Sequence, residues 1–259
     1  MKIATFNING IKARAEALVT WLREAEPDLV ALQEIKSTDE AFPHEIFEGL
    51  GYFIETHGQK SFNGVALLSK LPLEDVERGL PGDDADEQAR WIEATVVGKR
   101  AVRFCGLYLP NGNPAPGPKY DYKLAWMERM RARAAELLAS EEPVILAGDY
   151  NVIPQDEDAA RPEAWREDAL ALPDSRAAFR RIVNLGYTDA FRAEVEGPGH
   201  YTFWDYQAGA WQRNNGIRID HMLLSPQAAD LLRGVTIDKE IRGRDKPSDH
   251  VPLVIELDA

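Results

Sequence analysis

The chain has 259 residues, of which 44% are hydrophobic and 28% charged, with a formal net charge of -13. This composition predicts a folded globular protein and excludes the disordered class, and no apolar run approaches the roughly 18 residues of a membrane-spanning helix. The acidic total argues against a general polyanion binder, because nonspecific affinity for nucleic acid depends on Lys and Arg; basic residues between Arg213 and Lys246 still permit a nucleic-acid enzyme.

The chain begins with a strand-like segment, residues 2–6, and shows no basic segment followed by a long apolar one. No secretory signal is therefore expected. The single cysteine, Cys105, excludes an internal disulfide. Together these features predict a cytoplasmic protein without membrane passage.

A helix and a second strand follow the first one. Residues 11–25 repeat apolar side chains at three- and four-residue spacing and stop before Pro27, which predicts an amphipathic helix. Residues 28–32 then form an apolar run that closes on Gln33 and Glu34. Glu34 is thus a carboxylate at a strand end, although a lone Glu there is usually exposed or caps the next helix.

The middle of the chain is rich in strand signals. Strands are predicted at residues 51–54, 64–69, 92–97 and 102–108. The intervening residues 71–87, rich in Pro, Gly and Asp, are predicted to form a loop. Tyr108 ends the last of these strands, and a proline-rich loop follows it.

The longest predicted helix, residues 119–139, precedes the apolar run 143–147 and the tetrapeptide Gly148-Asp149-Tyr150-Asn151. Side chains alternate along an extended strand, so Asp149 and Asn151 should face one small volume. A carboxylate and a carboxamide placed in this way can hold and deprotonate a water and donate to the group it attacks. The alternative is an Asx-type turn without catalytic meaning.

The last third of the chain carries two further charged strand ends. Residues 156–174 are acidic and punctuated by proline, and no function is predicted for them. Strands are predicted at 200–206, 217–225 and 251–257, after a helix at 175–184. Asp220 lies within the second of these strands, where a charge needs a partner, and His250 precedes the third. Asp220 could therefore orient His250.

Hairpins interrupt the alternation of strands and helices. This pattern favours an α/β (α+β) class fold, a layered sandwich of mostly antiparallel sheets, over a doubly wound parallel sheet. The chain also runs twice through strands that end in acidic or amide residues, with a long helix in each half. We expect one domain, residues 1–259, of two pseudo-repeated halves with a boundary near 140.

Six short motifs, in order, cover essentially the whole chain. They are Thr5-Phe6-Asn7-Ile8-Asn9-Gly10, Leu32-Gln33-Glu34, Leu107-Tyr108-Leu109-Pro110-Asn111-Gly112, Gly148-Asp149-Tyr150-Asn151, Arg218-Ile219-Asp220 and Ser248-Asp249-His250. Their order and spacing closely resemble the exonuclease III branch (the AP endonuclease branch) of the endonuclease/exonuclease/phosphatase superfamily. The resemblance implies a four-layer sandwich, with two sheets face to face and helices outside. It also implies a monomeric DNA-repair nuclease that acts on double-stranded DNA with abasic sites or 3′ ends.

The implied reaction is Mg²⁺-dependent hydrolysis of phosphodiester bonds, with Mn²⁺ able to substitute. It comprises incision 5′ to abasic sites, 3′ to 5′ exonuclease action on duplexes and removal of 3′-blocking groups. Such hydrolysis needs positive charge near the nonbridging oxygens and an activated water, and Mg²⁺ prefers carboxylate oxygen. The resemblance implies Glu34 as the principal metal ligand, Asn7 as its support and Asp249 as a ligand directly or through water.

The resemblance also implies the catalytic residues. Asp149 is the base for the attacking water, Asn151 holds that water and the phosphate, and His250, oriented by Asp220, donates to the phosphate. Tyr108 and Asn111 complete the phosphate contacts. The family leaves open which residue is the base, and one metal ion or two. Here Asn9 stands where some relatives of the animal type carry an aspartate, which weakens any claim for a second metal ligand.

The remaining expectations concern DNA contacts. Phe203, Trp204 and Ile217 are candidates for an apolar pocket that receives a sugar without its base, each with core packing as the alternative. Contacts to the DNA backbone are expected from Arg90, Lys119, Arg213 and Arg218.

Two other functions share some of these features. A relative with the same fold and metal could act on a phosphoinositide or phospholipid headgroup, but no membrane-binding amphipathic element is evident. A catalytically silent DNA-binding module is the other alternative, against which stand the intact Glu34, Asp149, Asp220, Asp249 and His250.

Overall fold

The computed structural model describes all 259 residues as two sheets of six strands each, with helices on the outer faces. The strands are β1 (Lys2–Asn7), β2 (Leu29–Gln33), β3 (Phe53–His57), β4 (Val65–Ser69), β5 (Leu73–Arg78), β6 (Trp91–Val97), β7 (Ala101–Tyr108), β8 (Val144–Asp149), β9 (Thr188–Asp189), β10 (Asp220–Leu224), β11 (Leu232–Ile237) and β12 (Leu253–Leu257). The helices are α1 (Ile11–Ala25), α2 (His44–Glu48), α3 (Pro118–Leu138), α4 (Pro173–Val183), α5 (Ala190–Glu194) and α6 (Pro226–Ala229). No helix is both long and apolar enough to cross a membrane.

The two sheets have matching organisation. The first has the strand order β11-β12-β1-β2-β4-β3 and the second β5-β6-β7-β8-β10-β9. Each contains one parallel pair, β1 with β2 and β7 with β8, and its other pairs are antiparallel. A parallel pair needs a long crossover, which α1 and α3 supply. The α3 crossover includes the region near residue 140, where the sequence suggested a boundary between two halves.

Alternating side chains divide the apolar residues between the layers. In β1, Ile3 belongs to the core between the two sheets, whereas Phe6 packs outward with Leu18 and Trp21 of α1. The sheets approach closely at Gly106 of β7, where an added Cβ would lie 2.9 Å from a methyl group of Leu67. The predicted four-layer sandwich of two mostly antiparallel sheets is confirmed.

The parallel pairs bring polar strand ends together. Asn7 at the end of β1 is paired in register with Gln33, next to Glu34, and Tyr108 at the end of β7 with Asp149. Because β1 and β8 lie against each other across the core, both pairs reach the same end of the sandwich.

Two predicted elements were wrong. Residues 71–87 contain β5, an edge strand whose polar side chains hid it in a turn-rich stretch. Residues 200–206 form no strand; only Phe203 makes isolated bridges, to Ile217 and His250. Trp204 serves packing instead, through an edge-to-face contact with Trp211.

Candidate active site

A polar cavity of about 220 Å³ opens where the strand ends meet. Its lining residues are Glu34, Tyr108, Asn111, Asn113, Asp149, Asn151, Trp165, Asp168, Leu170, Phe203, Ile219, Asp249 and His250. Three of them, Glu34, Asp149 and His250, place ligand-type atoms within 4.8 Å of one another. Residues far apart in the chain thus converge on one site.

Asn7 joins the carboxylates of the two sheets. Its buried amide nitrogen donates to Glu34 Oε1 and to Asp149 Oδ2, both at 2.9 Å. Its amide oxygen accepts the backbone N–H of Asn9 at 3.0 Å. Both ends of the amide are therefore engaged, so Asn7 positions Glu34 and Asp149.

Glu34 is the most accessible carboxylate of the three-residue cluster, with 18% of its side chain exposed. Its backbone has a left-handed conformation, φ 49°, which turns the chain at the end of β2. Lys36 Nζ lies 2.9 Å from Glu34 Oε2. Burial alone would raise the pKa of Glu34, but the hydrogen bonds from Asn7 and Lys36 lower it below its usual value.

The donor set fits a hard divalent cation. Glu34 and Asp149 present oxygen atoms to the same volume as His250, and Asp249 lines the same cavity. Asp249 Oδ1 accepts from the side chains of Asn9 and Ser248, at 3.0 and 3.3 Å. Carboxylate oxygen is what Mg²⁺ prefers, and several carboxylates gathered without an arginine favour a cation.

Asp149 makes the Asx-type turn that the sequence offered as the alternative to catalysis. Its Oδ1 accepts the backbone N–H of Asn151 at 2.9 Å. This turn gives Asn151 a φ of 46°, and the Asn151 amide donates to Leu109 O at 2.8 Å. The turn and the site therefore coexist, because the turn directs both side chains.

His250 lies between two buried carboxylates. Its Nδ1 is 2.8 Å from Asp220 Oδ2 and its Nε2 is 3.6 Å from Asp149 Oδ2. Burial by itself would lower the pKa of His250, but Asp220 and then Asp149 outweigh it and raise the pKa to about 10. Burial also raises the pKa of Asp149 to about 7, opposed by His250 and assisted by Asp220. The structure thus brings together Asp220, His250 and Asp149.

Tyr108 reaches the same carboxylates from β7. Burial first, and then the charges of Glu34 and Asp149, raise the pKa of its hydroxyl well above the ordinary value, so it remains a proton donor. Arg90 stacks on the Tyr108 ring at 4.8 Å and donates to the Tyr108 carbonyl at 3.2 Å. Arg90, expected to contact DNA, therefore supports Tyr108. Asn111 donates its amide to Asn151 Oδ1 at 3.2 Å.

Two of the three expected pocket residues lie behind the cavity wall. Phe203 lines the cavity and packs edge-to-face on His250, with 5.0 Å between ring centroids. Trp204 and Ile217 are not among the residues that line the cavity, so the expectation that they line the pocket was wrong. Ile219 and Leu170 provide apolar lining instead.

The residues expected to contact the DNA backbone also differ in exposure. Lys119 and Arg213 are exposed and free to meet a phosphate. Arg218 is not, because it is 1% exposed and its guanidinium binds Asp158 and Asp189, at 2.7 and 2.9 Å. The prediction that Arg218 contacts DNA was wrong, since a buried and paired guanidinium cannot reach a phosphate.

Sequence reasoning missed the contribution of residues 156–174. Trp165 and Asp168 from this segment line the cavity. Asp168 Oδ1 accepts the side-chain amide of Asn113 at 3.0 Å, which ties the segment to the loop that follows β7. The length of the segment between β8 and α4 was the one available signal in the sequence, because long ordered connections are often functional.

Comparisons with known proteins agree with this geometry. The model of the Endonuclease/Exonuclease/phosphatase family matches residues 4–250. Exodeoxyribonuclease III of Haemophilus influenzae is 36% identical over 269 residues, covering 99% of this chain and 100% of the relative. An AP endonuclease from Archaeoglobus fulgidus superposes with a TM-score of 0.95 and 35% identity over 100% of both chains. The 3′ phosphatase NExo from Neisseria, bound to a product DNA hairpin, superposes with a TM-score of 0.96 and 36% identity, again over 100% of both chains.

Proposed function

The chain belongs to the endonuclease/exonuclease/phosphatase family, and from this membership we propose that it is a DNA-repair nuclease of the exodeoxyribonuclease III type. It hydrolyses phosphodiester bonds by incision 5′ to abasic sites, by 3′ to 5′ exonuclease action on duplexes and by removal of 3′-blocking groups. The observation that carries the proposal is the convergence of Glu34, Asp149 and His250 within 4.8 Å in a cavity that Tyr108, Asn111 and Asn151 also line.

The family is metal-dependent, and we assign Mg²⁺ to this chain, with Mn²⁺ as a substitute. Glu34 is the principal ligand and Asp249 a further one, directly or through water, while Asn7 orients Glu34 through its 2.9 Å hydrogen bond. When bound, the cation would withdraw charge from the nonbridging oxygens of the scissile phosphate. The carboxylate oxygens of this cluster are the donor type that this ion prefers.

Asp149 removes the proton from the attacking water. Its position supports this role, because a carboxylate held by Asn7 and by the backbone of Asn151 keeps one orientation. Asn151 and Asn111, joined side chain to side chain, hold the water and the phosphate. Their alignment lowers the entropy cost of an in-line attack.

His250 donates to the phosphate in its protonated form, which Asp220 and Asp149 favour. Tyr108 adds a second donor, a hydroxyl that remains protonated because burial raises its pKa. Donors fixed in advance and aimed at developing negative charge are the larger share of catalysis in such sites.

The substrate is double-stranded DNA with abasic sites or 3′ ends. Phe203, Ile219 and Leu170 form an apolar wall suited to a sugar without its base, because an intact nucleotide would first have to be unstacked at a cost of a few kcal/mol. Lys119 and Arg213 contact the DNA backbone. We further propose that residues 1–259 form one domain, that the protein is a monomer and that it works in the cytoplasm.

A labelled duplex with one abasic-site analogue, incubated with Mg²⁺ and separately with EDTA, tests this function. An intact duplex with a recessed 3′ end and a duplex with a 3′-phosphate complete the set, so the relative yields rank the three activities. We expect products with Mg²⁺ and none with EDTA. Tight binding without turnover in excess Mg²⁺ would instead indicate a DNA-binding module.

A further inference from the structure

Lys123 is a fully buried lysine in α3 that the catalytic scheme above does not use. An ammonium group is costly to bury unless its donors are satisfied. Its Nζ donates to two backbone carbonyls, that of Asn111 at 3.1 Å and that of Asn151. No carboxylate forms a salt bridge with it, so its hydrogen bonds to these carbonyls compensate for its burial.

The two carbonyls belong to the two residues whose side-chain amides face the scissile phosphate in the proposed reaction. Asn111 and Asn151 also bond to each other, and the Asn151 amide donates to Leu109 O. Lys123 therefore closes a ring between the loop after β7 and the loop after β8. Since Asn151 has a φ of 46°, its backbone depends on such external contacts to keep that conformation.

The loop after β7 passes directly over the lysine stem. A Cβ added to Gly112 would lie 2.7 Å from Lys123 Cδ, and Gly112 has a φ of 90°. Only glycine fits there in this conformation. The close contact fixes the height of the Asn111 loop above α3, so a shift of the lysine would move the loop.

The electrostatic cost of this arrangement is evident. Burial lowers the pKa of Lys123 to about 7, against the opposing charges of Asp149 and Asp168. An apolar side chain of the same length would fill the space without this cost. Such a side chain would leave the carbonyls of Asn111 and Asn151 without this donor, so the ammonium group points to a role in placing them.

We propose that Lys123 is a positioning residue for phosphodiester hydrolysis, which acts by holding the Asn111 and Asn151 loops in the geometry that presents both amides to the phosphate. The inference rests on the proposed function for its catalytic consequence. Its structural part, that Lys123 orders the two loops, stands apart from any activity.

The test compares Lys123→Met, which keeps the stem and removes the ammonium, with Leu137→Ala, a cavity variant of the same helix that lies far from both loops along α3. Leu137→Ala is expected to lower the unfolding temperature by several degrees without a change in kcat. Lys123→Met should lower kcat for the abasic duplex about 10- to 100-fold, with KM within about threefold of the wild-type value. Lys123→Gln, which keeps a neutral NH₂ donor group, should have a kcat between those of Lys123→Met and the wild type.

Hydrogen exchange separates the inference from the proposed function. In Lys123→Met the amides of Leu109, Asn113 and Asn151 should exchange about tenfold faster or more, and in Leu137→Ala they should not be singled out. Unchanged exchange at these amides, or wild-type kcat in folded Lys123→Met, would overturn the inference. If Lys123→Met does not fold, wild-type kcat and exchange in Lys123→Gln would overturn it. A wild-type protein inactive on DNA, with exchange changed as expected, would refute only the proposed function.

Discussion

Two clusters of buried charge begin two residues apart, at Arg218 and at Asp220. Arg218 lies in a cluster where Asp158 and Asp189 are each within salt-bridge distance of an arginine. Asp220 lies in the candidate site with Glu34, Asp149 and Asp249, none of which forms an ion pair with an arginine. The only cations within salt-bridge distance of those four carboxylates are Lys36 and His250.

The difference shows in the pKa values. Burial alone would raise the pKa of Asp158, but Arg218 and Arg192 lower it below its usual value. Burial raises the pKa of Asp149, and no guanidinium offsets the effect. A buried and paired charge destabilises the fold when its partner is removed, whereas a surplus of charge of one sign needs a ligand. A buried charge therefore does not by itself identify a functional site, whereas a buried charge that lacks a counter-charge does.

The largest expected effect is on turnover, which should depend on the cluster of Asp149 and not on the cluster of Asp158. Asp149→Asn keeps the shape of the side chain and removes the proton acceptor, so kcat should fall about 10² to 10⁴-fold with DNA affinity much less affected. The matched change in the other cluster, Asp158→Asn, should leave kcat nearly unchanged at temperatures where the protein is folded. Incision kinetics and DNA binding on both variants check this, and wild-type turnover in Asp149→Asn would remove it from the mechanism.

The next effect is on stability and belongs to the paired cluster. Arg218→Met removes the arginine that pairs with Asp189 and one of the two arginines that pair with Asp158. This loss should lower the free energy of unfolding by about 3 to 5 kcal/mol. Urea unfolding measures it. A loss below about 1 kcal/mol, typical of exposed ion pairs, would contradict the distinction drawn between the clusters.

Metal should stabilise the unpaired cluster. Mg²⁺ at about 100 times its dissociation constant is expected to add about 2.7 kcal/mol to the free energy of unfolding, because it binds only the folded protein. Glu34→Ala should lose most of this gain, while Glu163→Ala, an exposed carboxylate paired only with Arg161, should keep it. Unfolding with Mg²⁺ and with EDTA compares them, and an undiminished gain in Glu34→Ala would refute its assignment as a ligand.

The smallest effect is the response to acid. The folded-state pKa of Asp158 is below the ordinary value of 3.8, so its contribution is present above that value and is lost as the pH falls below it. Wild-type stability should decline by on the order of 1 kcal/mol from this group between about pH 5 and about pH 3. Asp158→Asn should show a shallower decline in urea midpoint over the same range; an equal slope would show that other groups account for it.

Local patterns predicted most of the fold and the centre of the site. Alternation and helical spacing identified the central strands and long helices. Polar residues at the strand ends made Glu34, Asp149 and His250 candidates, which the family resemblance then assigned to one site. The edge strand β5 was missed because edge strands carry little apolar signal. The sequence could not show which of Phe203 and Trp204 lines the cavity, since both are aromatic and adjacent in the chain, whereas their side chains point to opposite sides.

Arg218 and Asp220 show the same limit for charges. Alternation places residues two apart on one face of a strand, but β10 begins only at Asp220. The backbone N–H of Arg218 instead donates to the carbonyl of Asp158, in the segment that follows β8. Asp158 and Asp189, the partners of Arg218, lie in segments that no local pattern connects with this strand. The need of Asp220 for a partner, by contrast, did suggest His250.

Incision of an abasic duplex, followed from EDTA through rising Mg²⁺ concentrations, tests the central claim most directly. If the unpaired carboxylates form a metal site for hydrolysis, incision is absent in EDTA and rises to a plateau with Mg²⁺, and Glu34→Ala needs a much higher concentration. Full-rate incision in EDTA, or the same Mg²⁺ dependence in Glu34→Ala, would contradict the claim.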